Sequence, residues 1–261
     1  MKMRALLVYP TIIAMTLVLG VPVILLSLLG VKLDPDSLLG GAPRIWSKAV
    51  LRAAGTRVVL HGERYIGPSS EARVYVSNHV SWFEIFALAT VLPHCRFVAK
   101  KELASLPVFG RAAKEVAAIF IDRGNRKAAF EAYAEAAEQM KTSVSVVVFP
   151  EGTRGRSYEL RPFKKGPFVL AIAAQVPVVP VVAWGSREIQ GKGEIAIRSG
   201  VCELTFLDPV PTAGMTYDDR DRLMTIVWHR MAAELARRGV HSAEPPELAS
   251  TPEADMAAPE Q

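Results

Sequence analysis

The chain has 261 residues, half of them apolar and 22% charged, enough for one large domain with a sizeable core and close to the ordinary globular balance. Its two cysteines, Cys95 and Cys202, stand alone in apolar runs; two are too few for a metal cage, and their placement is unlike a disulfide framework, so both read as buried thiols. The formal charge of +5 is unevenly spread: five acids and no base lie between Ala243 and Gln261, so residues 1–242 carry 31 bases against 21 acids. A basic body of that kind suits anionic partners: phosphates, an anionic lipid surface or nucleic acid.

From Ala5 to Val31 run 27 residues without a charge, mostly Leu, Val, Ile and Ala, interrupted by Pro10 and Pro22. About 20 apolar residues span a bilayer core, and no A-x-A-like cleavage site follows, so the segment reads as a retained membrane anchor. Lys2 and Arg4 ahead of it favour a cytoplasmic N-terminus, while Lys32, Arg44, Lys48, Arg52 and Arg57 follow it. Bases on both sides fit an anchor whose two ends stay on one face of the membrane. Residues 44–54 have a basic amphipathic pattern that suits an interfacial helix and a core-facing helix equally.

Residues 33–43 form a Pro-, Gly- and Asp-containing connector. Strand patterns follow at 57–60, 73–76, 95–99, 116–121, 144–149 and 178–183, with 194–198 and 202–206 expected to add a terminal hairpin or pair. Helical patterns fall at 83–91, 108–114, 126–141, 166–174 and 217–238. This alternation predicts an α/β fold, a largely parallel central sheet flanked by helices, behind an N-terminal membrane-anchoring helical segment. The expected organisation is an anchor and amphipathic helix over 1–55, the α/β domain over 56–240, and an acidic disordered tail over 241–261, rich in Pro, Glu, Ala and Ser.

Ligands of open α/β sheets gather beyond the carboxyl ends of strands. Three such ends are polar: Ser77-Asn78-His79, Asp122-Arg123-Gly124-Asn125 and the run from Pro150 to Gly155. If those strands are adjacent and parallel, a histidine, two arginines and two acids converge. His79 and Glu84 are five residues apart and share no face of a regular helix, so they meet only if His79 precedes the helix. Ser81-Trp82-Phe83-Glu84 also matches the S-x-x-E capping box, in which Glu84 serves the helix start alone. At the third end, backbone N–H groups and the Arg154 fork suit an anion, though a polar surface loop has the same composition.

Four ordered blocks over roughly residues 74–183 carry a resemblance. NHVSWFE (78–84) resembles the first motif of the glycerolipid acyltransferases, N-H-x-S-x-x-D. FIDRGN (120–125), with AKKEL at 99–103 and Pro107-x-x-Gly110 ahead of it, resembles the second, FPEGTRG (149–155) the third and VPVVPV (176–181) the fourth. Within that family the pattern looks most like the lysophosphatidic acid acyltransferases. The resemblance implies that His79 is a general base, taking the proton of an acceptor hydroxyl that attacks an acyl thioester, and that Glu84 orients the imidazole. It implies that Arg123, Glu151, Gly152, Thr153 and Arg154 shape the acceptor's phosphate site. The co-substrate would be acyl-CoA or acyl carrier protein, with no cofactor and no metal, and the product phosphatidic acid. The partners would be the bilayer and a lysolipid, at a bacterial inner membrane, with the catalytic domain facing the cytoplasm. His61, His94, His229 and His241 match no motif and read as structural or surface residues.

Glu84 stands where the family pattern has Asp, and one methylene moves a carboxylate by roughly 1–1.5 Å. Three readings follow: a working substitute in a wider turn, an enzyme tuned to another lysolipid, or a weakened relative in which the helix cap has prevailed. Other functions remain in view. The acceptor could be lyso-ornithine lipid or a lysophospholipid, or the chain could be a non-catalytic lipid-binding membrane protein. A hydrolase would favour a G-x-S-x-G elbow, which is absent from the sequence. Nucleic-acid binding has only net charge behind it, with no recognition motif.

Overall fold

Near-continuous Val runs mark strands covered on both faces, and the structure splits each run by the two-residue period of a strand. Val74, Val76, Val146, Val148, Val178 and Val182 belong to one buried cluster, whereas Tyr75, Val147, Val179 and Val181 belong to another on the opposite face. The computed structural model describes residues 2–122 and 124–245. The elements follow in the order α1 (Lys2–Leu28), α2 (Ala42–Ala54), β1 (Thr56–His61), β2 (Val74–Ser77), α3 (Phe83–Val91), β3 (Cys95–Lys100), α4 (Phe109–Val116) and β4 (Ala118–Ile121). They continue with α5 (Arg126–Met140), β5 (Ser145–Val148), α6 (Gly166–Ala174), β6 (Val178–Trp184), α7 (Ser186–Ile189), β7 (Gly200–Phe206) and α8 (Arg220–Ala236).

The sheet order is β1-β7-β6-β2-β5-β3-β4. Strands β6, β2, β5, β3 and β4 are mutually parallel, while β7 runs antiparallel to β6 and takes β1 alongside it in parallel. Residues of α5, α6 and α8, such as Met140, Phe168, Val227 and Met231, cover one face. Phe83, Phe86 and Leu88 of α3, Val50 and Leu51 of α2 and Val8 of α1 cover the other. The sheet is thus the expected largely parallel one, flanked by helices.

Three expectations need correction. Residues 194–198 alternate like a strand but form none: both edges of β7 are taken by β1 and β6, so a hairpin partner has no ladder to join. The Arg198 amide instead donates to the Ile189 carbonyl (2.9 Å), and Ile197 is buried while Ile195 is exposed. Val116 ends α4 rather than starting β4, because the amphipathic helical pattern reaches further into the apolar run than its β-branched composition suggests. The tail is not loose from its first residue: Ser242 Oγ accepts from the Leu160 amide (2.8 Å), Glu244 pairs with His229 (3.0 Å), and Pro245 is buried. The remainder, 246–261, lies outside the described residues. Cys202 is fully buried, as expected, but Cys95 only in part.

The N-terminal run forms one helix of 27 residues that continues through Pro10 and Pro22. Its stretch Arg4–Leu28 is long and apolar enough to cross a bilayer, with a mean hydropathy of 2.5. It also docks on the rest of the chain. Val8 and Val23 are buried, Gly20 lies against Val108 and Ala112 of the α4 region, and Trp46 Nε1 donates to Thr16 Oγ1 (3.1 Å). In α2, Val50, Leu51 and Ala54 face inward while Arg44, Lys48 and Arg52 form an exposed row at four-residue spacing, so the basic helix has a core face and a charged face at once.

Gly185, between β6 and α7, has φ of 79°, and a Cβ there would meet the Val201 carbonyl oxygen. Gly185→Ala combines that collision with a left-handed backbone that costs a non-glycine residue about 1–2 kcal/mol. It is expected to lower the thermal midpoint in detergent by at least roughly 4 °C; an unchanged midpoint would show that the turn relaxes freely.

Candidate active site

Strands β2 and β5 are neighbours, so the polar turns at their carboxyl ends meet. His79 lies between β2 and α3, ahead of the helix, and its Nδ1 is 2.7 Å from Glu84 Oε2. Glu84 is fully buried and takes the first turn of α3. Its Oε1 accepts from the Val80 amide (2.9 Å), the Ser81 amide (2.9 Å) and Ser186 Oγ (2.7 Å), and Oε2 also accepts from the Val80 amide (3.1 Å). The capping contact and the histidine contact therefore coexist on one carboxylate. Ser81 completes the start of the helix differently from a standard capping box: its hydroxyl accepts from the Phe83 amide (3.2 Å) and donates to the Gln190 carbonyl (2.7 Å). An ionised carboxylate has only acceptors, so such a Glu84 pairs with the tautomer that carries its proton on Nδ1 and has its acceptor at Nε2. The ring is 13% exposed and stacks on Phe149, centroids 4.1 Å apart.

The turn after β5 supports this arrangement from beneath. Glu151 Oε1 accepts from the His79 amide (2.9 Å), and the His79 carbonyl accepts from the Gly155 amide (2.7 Å). Gly152 has φ of 74° and donates its amide to the Phe149 carbonyl (3.1 Å), closing the turn. The Thr153 carbonyl accepts from Arg161, and the Arg154 carbonyl from Lys192 Nζ (2.7 Å). The Arg154 guanidinium lies 4.8 Å over the Trp82 ring, a cation–π contact between the first and third motifs. Burial lowers its pKa from the ordinary value, and the charge of Glu84 opposes that. Burial pushes the Glu151 carboxyl up to about 7; the His79 amide pulls it down, and the neighbouring Glu84 adds to the rise.

The second motif lies elsewhere on the same edge. β3 intervenes between β5 and β4, so β4 is the outermost strand rather than a neighbour of β5. At about 4.8 Å per strand, its end lies roughly 10 Å from that of β5. Asp122 there accepts from Lys101 (3.3 Å) and the Gly124 amide (3.0 Å), and Asn125 caps α5 through the Ala128 amide (3.1 Å). Arg123 lies outside the described residues.

Residues 57–184 match the family model described as "Acyltransferase". That segment is an acyltransferase-family domain. Among relatives, the human 1-acyl-sn-glycerol-3-phosphate acyltransferase alpha is 40% identical over 179 residues, covering 68% of this chain and 63% of the human protein. The 1-acyl-sn-glycerol-3-phosphate acyltransferase of Cocos nucifera is 31% identical over 160 residues, 60% of this chain and 51% of that protein. This chain thus spans less than two thirds of the length of these relatives. The crystal structure of the 1-acyl-sn-glycerophosphate (LPA) acyltransferase from Thermotoga maritima superposes with a TM-score of 0.73 at 24% identity, over 93% of this chain and 99% of that one, so the fold is shared.

Around the acyltransferase motifs, several residues went unassigned in the sequence. Asn78 donates to the Ala183 carbonyl (3.0 Å) and accepts from the Ala183 amide (2.7 Å), extending the β2–β6 ladder by one side-chain rung. Its place beside His79 was a signal. Ser186 and Gln190 reach the site from more than 100 residues away, and nothing local marks them. The other histidines make peripheral pairs, such as His94 with Asp36 (2.8 Å) and His61 with Glu203 (3.7 Å).

Glu151 binds its proton more tightly in the folded protein than at the ordinary value of 4.5. Its contribution to stability is fully present below pH 4.5 and is lost as pH rises through about 7. Measured against Glu151→Gln, the wild type is expected to lose about 3 kcal/mol between those limits. Parallel pH dependences of the two melting curves would contradict this.

Proposed function

We propose that the chain is a membrane-bound O-acyltransferase that transfers an acyl group to the free hydroxyl of lysophosphatidic acid, giving phosphatidic acid for phospholipid biosynthesis. The observation that carries this reading is the 2.7 Å contact of His79 Nδ1 with Glu84, beside the Glu151–Gly155 turn, in a family whose relatives have that activity in their names. In the proposed reaction Nε2 of His79 takes the proton of the acceptor hydroxyl as its oxygen attacks the thioester carbonyl of acyl-CoA or acyl carrier protein. Glu84 holds the ring and stabilises the imidazolium that forms. The tetrahedral intermediate collapses, the ester C–O bond is kept, the C–S bond breaks, and the proton leaves with the thiol. The Arg154 guanidinium supplies the charge and the Thr153 amide a donor for the acceptor phosphate, while Gly152, with its own amide bonded to the Phe149 carbonyl, shapes the turn that presents them; Arg123 is assigned to the same task by motif alone. Glu151 braces the His79 backbone. No cofactor or metal enters this scheme.

The membrane reading rests on α1. One side of α1 docks on α2 and α4, with Val8, Gly20 and Val23 buried, so the helix is tied to its domain rather than standing apart from it. Its other side exposes Leu6, Leu7, Ile13, Val18, Leu25 and Leu28. We assign it to one leaflet, lying in the interface, with Arg44, Lys48 and Arg52 facing anionic head groups. The catalytic domain would then sit on the cytoplasmic face, at the inner membrane if the source is bacterial.

The test is acyl transfer by the purified chain in detergent, with acyl-CoA and acyl carrier protein donors against a panel of lysolipids. Transfer to lysophosphatidic acid is expected; transfer only to another lysolipid would keep the chemistry and change the acceptor. His79→Ala is expected to reduce kcat/KM by roughly 10²–10⁴-fold, and near-wild-type turnover would sink the mechanism. Glu84→Gln keeps an oxygen for the Val80 and Ser81 amides but turns an NH2 toward Nδ1, forcing the other tautomer. Its kcat is expected to fall by a comparable roughly 10²–10⁴-fold with the fold intact by circular dichroism. A folded Glu84→Gln protein with full activity would reduce Glu84 to a helix cap.

A further inference from the structure

We infer that Ser186 is a positioning residue for the acyl transfer, fixing the rotation of the Glu84 carboxylate so that one oxygen points at His79 Nδ1. The inference rests on the general-base reading of His79. A glutamate has one more rotatable bond than the Asp of the family motif, so its carboxylate plane needs more contacts to hold its orientation. The Val80 amide does not discriminate, since it approaches Oε1 at 2.9 Å and Oε2 at 3.1 Å. The Ser81 amide and the Ser186 hydroxyl both choose Oε1, and Ser186 is the side-chain donor that does so, at 2.7 Å. With Oε1 occupied, Oε2 is the oxygen presented to Nδ1.

Ser186 is itself held. It is fully buried on the short α7 turn, which Gly185 launches with its left-handed backbone. The residue after α7, Gln190, accepts from the Ser81 hydroxyl at 2.7 Å. The 186–190 segment therefore grips the His79–Glu84 turn at two points, one on the acid and one at the helix start. The Gln190 amide nitrogen in turn donates to Tyr9 Oη (3.1 Å) and the Glu194 carbonyl (2.9 Å), so the bracket is anchored on α1 as well. The ionisable groups facing Glu84 are His79, Glu151 and Arg154 from the two turns and Cys202 from β7. Tyr158 and Glu188 lie behind Ser186.

The experiment compares wild type, Ser186→Ala, Ser186→Cys and His79→Ala in the detergent assay, with kcat, KM and the pH dependence of kcat/KM for each. Ser186→Ala is expected to lower kcat about tenfold, the effect of one hydrogen bond to a charged group, with both KM values unchanged. The acidic limb of its profile moves to lower pH, because an imidazolium facing a loosened carboxylate is less stabilised. Ser186→Cys, of similar volume with a weak S–H donor, falls between. An unchanged kcat overturns the inference, as does a lower kcat with an unmoved acidic limb or a limb moved to higher pH; those results make Ser186 a packing residue or a competitor for the carboxylate. Wild-type transfer that persists in His79→Ala would instead defeat the general-base reading itself, and this inference with it.

Discussion

Glu84 has no access to water, and a buried carboxylate is tolerated only where donors replace the water it has lost. Those donors come from two parts of the chain: the turn before α3, through the His79 imidazole and the Val80 and Ser81 amides, and the segment after β6, through the Ser186 hydroxyl. The carboxylate can be satisfied only if β2, β6 and the α3 start are assembled in register. Site and sheet are thus interdependent. Asn78, which ties the end of β2 to β6, and Glu151, which ties the His79 backbone to the turn after β5, repeat the same logic on either side.

The opposition between a helix cap and a catalytic acid dissolves at this carboxylate. A cap needs an acceptor near the first free amides of a helix; an orienting acid needs an acceptor near Nδ1. A side chain with two oxygens serves both when the histidine lies just before the helix. The extra methylene relative to Asp is absorbed in this turn, as Glu84 reaches the ring at 2.7 Å while still meeting two amides.

Local pattern carried much of the fold. The spans 83–91 and 166–174 match α3 and α6, and the Val-rich runs are strands because the same residues must serve two faces. What escaped was whatever depends on neighbours in the sheet. Residues 194–198 have a strand's alternation but no free edge beside β7, and Asp122 has a site residue's position in sequence but an outer strand beneath it. In the site, His79, Glu84, Glu151 and Arg154 were legible because motif residues cluster at strand ends. Ser186 and Gln190 were not, because a serine on a four-residue helix and a glutamine just after it have no pattern until β6 returns them to the first motif.

Tyr9 gives the apolar helix a meaning beyond holding the chain to a surface. Its hydroxyl donates to the Ile195 carbonyl (3.1 Å) and accepts from Gln190, one residue beyond the helix that carries Ser186. Cutting the chain back to α2 in search of a freely soluble enzyme would strip the cover from Val50, Trp46 and Ala112 and leave Gln190 without this partner. Solubility would be better sought by exchanging the outward Leu, Ile and Val side chains of α1 for polar ones while keeping its inner seam.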